Sequence, residues 1–347
     1  MIDFSLTDDI GALEAELLRF ASNQLRDRAR GFEAGGGWDA ATLKTFRAFG
    51  VAGVDAPESW GGVDLGALAK VVALEAISRG DAGGIVAADT AGPATAAALV
   101  CPDQTLAARV VTAALAGENR AALVLADQAD EAWMPGSTAP AWTWTSHSGG
   151  LRLLDTAGCA ATLADAGALH ASGGVAVDLS GAETVAEWTL DPETVALLRG
   201  RARLWPAAVL LGVATASLDY GMAYARERVV MGIPVAHHQG NAFAIAEAAG
   251  MIEAARASVR AAAVRIDQAM SWAGVWATLA YLDAVDAALH ATDLGVQLLG
   301  GHGYVEDHPA EKWFREARAL TQLLGGRQSA IADAAEYVLD LPDPLLA

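Results

Sequence analysis

The sequence predicts a mainly helical chain with a small β domain set into its middle. Two observations carry that reading. Long apolar segments at helical spacing fill both ends of the chain, while short alternating stretches with turn signals occupy only the region from about residue 120 to 190. The expected organisation is an N-terminal helical domain over 1–118, a short β domain over 119–192 and a C-terminal helical bundle over 193–347.

The first helix is predicted in LTDDIGALEAELLRFASNQLRDRAR, behind a Thr7–Asp8 start able to cap free amide groups. WDAATLKTFRAFG predicts a second, short amphipathic helix stopped by Gly50. After the loop VDAPESWGGVDLG, ALAKVVALEAISRGDAGG reads as a helix ended by glycine. TAGPATAAALV and QTLAARVVTAALAG continue the helical pattern. AALVLA is then a strand, and AWTWTSHSGGLRLLDT alternates around Ser148–Gly149–Gly150, a hairpin signal. GGVAVDLSG and TVAEWTL complete the β region. The apolar run from Leu204, LWPAAVLLGVATASL, is read as too short to span a membrane and as a core helix with proline near its start.

Composition limits the partners. Hydrophobic residues make up 53% of the 347 and charged residues 19%, which suggests surface buried between subunits as well as within one. Acidic side chains number 42 against 23 basic, a formal charge of −19. Nucleic acid and anionic membranes both need a basic face, so neither is expected, although a local basic pocket for one phosphorylated ligand is compatible. Cys101 and Cys159 are isolated, with no paired spacing for a disulfide framework or a zinc site. With the acidic amino-terminal stretch, which lacks a basic-then-apolar leader, they point to a soluble protein of the reducing cytoplasm.

One stretch breaks the helical pattern sharply. In QLLGGHGY, residues 297–304, three glycines fall within four positions, each costing roughly 1 kcal/mol inside a helix. A helix end with a tight turn explains them, and so does a backbone that must approach something bulky such as a cofactor phosphate.

Three motifs in order resemble the acyl-CoA dehydrogenase family over nearly the whole chain. PESWGGVDLGALAKVVALEAISRGDA looks like its PEEYGG-type loop and following helix. YARERVVMGIPVAHHQ looks like its ERxxFGxxxxxxxQ segment, matching at Arg228, Gly232 and Gln239, with Met231 in place of the usual Phe. QLLGGHGYVEDHPAEKWFREAR looks like its QxxGGxGYxxxxPxExxxRDA stretch, matching at Gln297, Gly300, Gly301, Gly303, Tyr304, Pro309, Glu311 and Arg315. The resemblance implies a helical–β–helical subunit of a tetramer that shares FAD across a subunit interface and desaturates an acyl-CoA thioester. It further implies that Arg228, Met231, Gln239, Gln297, Gly300 and Gly301 contact the adenosine-diphosphate part of a neighbour's FAD.

Other family features are missing. The Glu–Pro pair of the flavin-side strand falls near Asp127–Gln128, and the tryptophan that packs beside the flavin has no counterpart near Cys159–Ala160–Thr162. Trp142 and Trp144 read as sheet packing. The proton-abstracting glutamate should follow the REAR helix, but Leu324 or Gly325 stands there, according to how REARALTQLLGGRQS is aligned. The alternative location, RGRARLWPAAVLLG, offers Arg201 and Arg203 and no carboxylate. Arg327 and Gln328 fall where a Thr and a Gln would touch the flavin. A positioned base contributes about 10²–10⁴ in rate, so its loss is consequential. Asp219, Glu247 and Glu253 read as solvated or paired helix charges, and the pairs His237–His238 and His302/His308 lack metal-ligand spacing.

The resemblance is therefore to a non-catalytic subunit of a heteromeric acyl-CoA dehydrogenase. Its expected partners are a related catalytic subunit, an acyl-CoA (bulky or steroid-derived by family analogy) and an electron-transfer flavoprotein. Two other readings stand beside it: a homo-oligomeric dehydrogenase with an unrecognised base, and a flavin-free scaffold of the same fold.

Overall fold

The computed structural model describes residues 6–126 and 130–340. Among the described residues seven α-helices form the N-terminal part: α1 (Asp8–Phe20), α2 (Ala29–Gly35), α3 (Ala40–Ala48), α4 (Gly66–Ser78), α5 (Ala82–Ala88), α6 (Ala94–Val100) and α7 (Gln104–Leu115). The first expected helix is broken. Beyond Phe20 the hydrogen bonding widens to a π turn over Ala21–Leu25 and then tightens to a 3₁₀ turn over Arg26–Arg28. Ala21 and Leu25 pack directly onto Gly80, and Arg26 Nη2 donates to the Arg79 carbonyl at 3.1 Å, so contact with the end of α4 re-aims the chain. Thr7 is extended but its side chain caps nothing, whereas Asp39 does cap α3, its Oδ1 accepting from the Thr42 amide at 2.9 Å. Gly50 ends that helix in the left-handed region.

Helix α4 is buried on nearly every side, including Lys70 and Glu75. Those charges are matched inside the protein. Lys70 Nζ lies 2.8 Å from Asp89, which also accepts the Trp205 indole N–H at 2.8 Å, and Glu75 pairs with Arg256 at 2.6 Å.

The β region contains β1 (Ala121–Leu125), β2 (Glu131–Pro135), β3 (Trp142–His147), β4 (Gly150–Asp155), β5 (Ala161–Ala164), β6 (Gly174–Asp178) and β7 (Glu183–Thr189). They form two sheets, ordered β1-β3-β4-β7 and β2-β6-β5, in which only β1–β3 is parallel. His147 faces Gly150 across the expected hairpin, closed by Ser148–Gly149. Trp144 is fully buried and packs on Trp188 with ring centroids 6.1 Å apart, while Arg109 covers Trp142. Both tryptophans are packing residues.

The C-terminal part comprises α8 (Pro192–Glu227), a short hairpin β8 (Val229–Val230) and β9 (Ile233–Pro234), then α9 (Gln239–Asp267), α10 (Ala273–Leu299), α11 (Ala310–Leu320) and α12 (Gly326–Asp340). The run from Leu204 lies deep within α8, not at its start. The proline at the start is Pro192, behind the Asp191 cap, and Pro206 sits inside the helix. At 36 residues α8 is also long and apolar enough, by length and composition alone, to cross a membrane. Here its central stretch is buried against α4 and α10, where Gly200 meets the Gly274 backbone and lets the helices approach. A buried network ties α11 to the N-terminal helices. Lys312 Nζ contacts Asp81 at 2.8 Å and Glu316 at 2.5 Å, and Trp38 Nε1 donates to Asp81 at 2.7 Å.

Candidate functional site

The ends of α8, α9 and α10 meet around an open pocket of about 550 Å³. Helix α8 stops when Arg228 turns extended, and the chain reverses through Met231 and Gly232, both at positive φ, as a two-residue hairpin turn requires. Helix α10 stops at Gly300, whose φ of 58° and ψ of −131° suit glycine. Gly303 lies so close to the last turn of α10 that a Cβ there would stand 2.4 Å from the Val296 carbonyl oxygen. Gly301, like Gly300, has nothing within 4 Å of its Cβ position, but unlike Gly300 it is not at positive φ. Of the three glycines, only Gly301 therefore has neither a backbone nor a packing reason in the fold.

Arg228, Met231, Gln297, Gly300 and Gly301 all line this pocket. Gln239 is not on its wall but opens α9 beside His238, which is. Among the described residues the side chains of Arg228, Gln239 and Gln297 have no hydrogen-bond or ion-pair partner. A free guanidinium fork beside an open glycine backbone fits a diphosphate. Apolar side chains flank the pocket in the open: Met231 is 93% exposed, Phe243 64% and Tyr304 74%, with Val229 and Ile233 beside them.

The tertiary structure also joins His302 and His308, which the sequence places only on either side of a turn. Their rings stack with centroids 5.3 Å apart, and their Nδ1 atoms share hydrogen bonds of 2.8 Å with the hydroxyls of Tyr224 and Tyr220. This bracing fixes the GGHGY turn against α8. Among the described residues no group of three or more metal-binding side chains occurs.

A larger cavity, about 930 Å³, lies between β1, β2 and the segment joining α11 to α12. Leu324 and Gly325 form part of its wall, both at positive φ. Among the described residues its ionisable lining residues are Asp130, Glu131 and Asp165, with no lysine, arginine or histidine. Sequence reasoning missed these three, since they lie on a strand and a loop outside any motif. Beside Leu324 the interior narrows to about 90 Å³, where Trp205 and Asp89 fill the space between α5, α8 and β1. Among the described residues this acidic wall offers no cation to a diphosphate.

The other acidic candidates lie elsewhere. Asp219 pairs with Arg79 at 2.6 Å, Glu253 pairs with Arg256, and Glu247 is exposed. Arg201 meets Asp55 at 3.2 Å and Arg203 meets Asp333 at 2.6 Å, so both arginines are neutralised. Arg327 points to Asp286 on α10 at 3.2 Å. Asp127 and Gln128 fall outside the described residues.

Comparison with known proteins agrees with this architecture. The acyl-CoA dehydrogenase N-terminal domain family matches residues 7–118, and the acyl-CoA dehydrogenase C-terminal domain family matches residues 196–339. The chain belongs to the acyl-CoA dehydrogenase family, whose members bind FAD. An acyl-CoA dehydrogenase of Bacillus subtilis is 40% identical over 124 residues, which are 36% of this chain but only 32% of that enzyme. Among solved structures, butyryl-CoA dehydrogenase from Megasphaera elsdenii superposes with a TM-score of 0.81 at 21% identity, covering 97% of this chain and 100% of that one. A chain of the ChsE4–ChsE5 complex from Mycobacterium tuberculosis gives 0.81 at 19% identity, covering 98% and 100%. At those identities the likeness is one of fold.

Proposed function

We propose that the chain is the non-catalytic subunit of a heteromeric acyl-CoA dehydrogenase, completing the FAD site of a related catalytic partner. The observation that carries the reading is the contrast between its two cavities. At the ends of α8 and α10, free donors and an open glycine suit the diphosphate of a cofactor whose ring lies in another subunit. The cavity under β1 is walled by Leu324 and Gly325, the two positions that the family resemblance aligns with its proton-accepting glutamate, and neither can take a proton.

FAD, when bound, supplies the acceptor for the hydride leaving the acyl chain. This chain's part is to hold and to cover. Arg228 offers a planar fork to phosphate oxygens, Gln297 and Gln239 add neutral donors, and Met231 with Val230 shields the pocket from water. The exposed apolar rim of Val229, Ile233, Phe243 and Tyr304 suits burial against a partner. The substrate belongs to the partner: an acyl-CoA, bulky or steroid-derived, with electrons passing to an electron-transfer flavoprotein in the cytoplasm. That one solved relative of this fold is itself a complex of two named chains is in keeping with a heteromer.

A homo-oligomeric enzyme with its own base is favoured by one feature, the carboxylates Asp130 and Glu131 at the rim of the larger cavity. Co-expression with the catalytic partner separates the readings. Arg228→Ala should cost the complex its flavin while the partner stays bound, and an unchanged flavin content would remove Arg228 from the site.

A further inference from the structure

A third cleft, of about 570 Å³, lies on the seam between the N-terminal helices and the β sheets and shares no wall with the pocket at Arg228. It is built from the Gly36–Gly37 turn, Arg47 of α3, the segment Gly117–Arg120 leading into β1, and the Ser137–Thr138 loop. Its volume lies within the range of small-molecule sites, about 300–1,000 Å³.

Two arginines without a carboxylate partner line this cleft. The Arg47 side chain makes no hydrogen bond or ion pair among the described residues and lies over Gly117, whose Cβ position is 3.5 Å from the guanidinium carbon. Arg120 is held more firmly. Its Nη2 donates to the Pro135 carbonyl at 2.8 Å, and Nη1 occupies the space beside Gly136, where a Cβ would stand 1.7 Å away. The acid nearest in effect, Asp89, is already committed to Lys70 and Trp205, and burial lowers the Arg120 pKa below the usual guanidinium value. Ser172 adds an independent sign: its hydroxyl is buried in the cleft wall with no hydrogen-bond partner. In a chain of charge −19, this wall brings together two guanidinium groups without carboxylate partners, Arg47 exposed and Arg120 held by a carbonyl, and a buried hydroxyl without a hydrogen-bond partner. Glu118, exposed at the rim, is the one acidic group in the wall among the described residues.

We propose that this cleft binds a small phosphate-bearing molecule, its phosphate clamped between Arg47 and Arg120. Glu118 then faces the donor-bearing part of the ligand, such as a hydroxyl or an amine. The site is separate from the FAD contacts and does not depend on them.

The test is calorimetric titration of the whole chain carrying Arg228→Ala, so that the pocket at the end of α8 does not compete for phosphate. Inorganic pyrophosphate, ADP and CoA are the three probes. Saturable binding of any of them, weakened roughly tenfold by adding Arg47→Glu, is the expected result. Binding of pyrophosphate would mean that charge suffices, and binding of ADP or CoA alone that the organic part completes the fit. Gly136→Ala, whose methyl group displaces Arg120, should weaken the same probe. Should Arg47→Glu not fold, Arg47→Ala reads the same contrast without inverting the charge. No saturable binding of any probe below about 1 mM, or binding indifferent to the Arg47 substitution, overturns the proposal.

Discussion

Replacing each glycine of the GGHGY turn by alanine separates a folding role from a ligand-approach role. Gly303→Ala puts a methyl group 2.4 Å from the Val296 oxygen, so the end of α10 must shift by about an ångström, and overpacking of this kind costs about 1–3 kcal/mol. Gly300→Ala meets open space but forces a side chain into φ 58°, ψ −131°, at about 1–3 kcal/mol. Gly301→Ala does neither. It should leave stability unchanged or raise it by about 0.4–1 kcal/mol, by restricting the unfolded chain. Its cost should appear in binding instead. A charge-assisted hydrogen bond is worth about 1.5–3 kcal/mol, so a methyl group that holds phosphate away from this backbone should weaken ADP binding roughly ten- to hundred-fold. Urea denaturation measures the first quantity and calorimetry the second. If Gly301→Ala loses as much stability as Gly303→Ala, or holds ADP as tightly as the unsubstituted chain, the ligand-approach argument for this glycine is wrong.

Three further outcomes are expected. Lys312→Met strands Asp81 and Glu316, both fully buried, and should cost about 3–5 kcal/mol in urea titrations; a loss under about 1 kcal/mol would mean the network relaxes without its cation. Burial raises the Glu316 pKa to about 7, against an ordinary 4.5. The folded state thus holds that proton more tightly, and the associated stability is full below about pH 4.5 and is lost as pH rises through 7, at up to about 1.4 kcal/mol per pH unit. Glu316→Gln should flatten that slope, and parallel stability–pH curves for the two proteins would contradict the assignment. Finally, Leu324→Glu or Gly325→Glu puts a carboxylate at the position that the resemblance aligns with the family's glutamate, yet the chain alone should still desaturate no acyl-CoA. Acyl-CoA-dependent dye reduction by either variant alone would show that its own cavity can hold a flavin.

Much of the fold was legible because it rests on local signals. The Ser148–Gly149 turn, the alternation around Trp144 and the apolar spacing of α4, α9 and α10 each act within a few residues. The break after Phe20 was not legible, since it arises from contact between Ala21 and Gly80, far apart in sequence. Strand β2 was hidden for a related reason: EAWMP forms a strand by pairing with β6, more than forty residues later. Within the candidate site, five of the six motif residues converge on one pocket, because the motifs end two neighbouring helices at the same level. The stack of His302 on His308 and the acidic rim of the larger cavity needed the tertiary structure, as neither has a fixed spacing that a single sequence could reveal.

The central claim is that this chain holds one end of a flavin that works in another subunit. The most direct test is the visible absorption spectrum of the natively purified chain, taken alone and after co-expression with a related catalytic dehydrogenase subunit. The account predicts a colourless chain alone, and a yellow complex with one flavin for each pair of chains. One flavin bound per chain in the absence of any partner would contradict it.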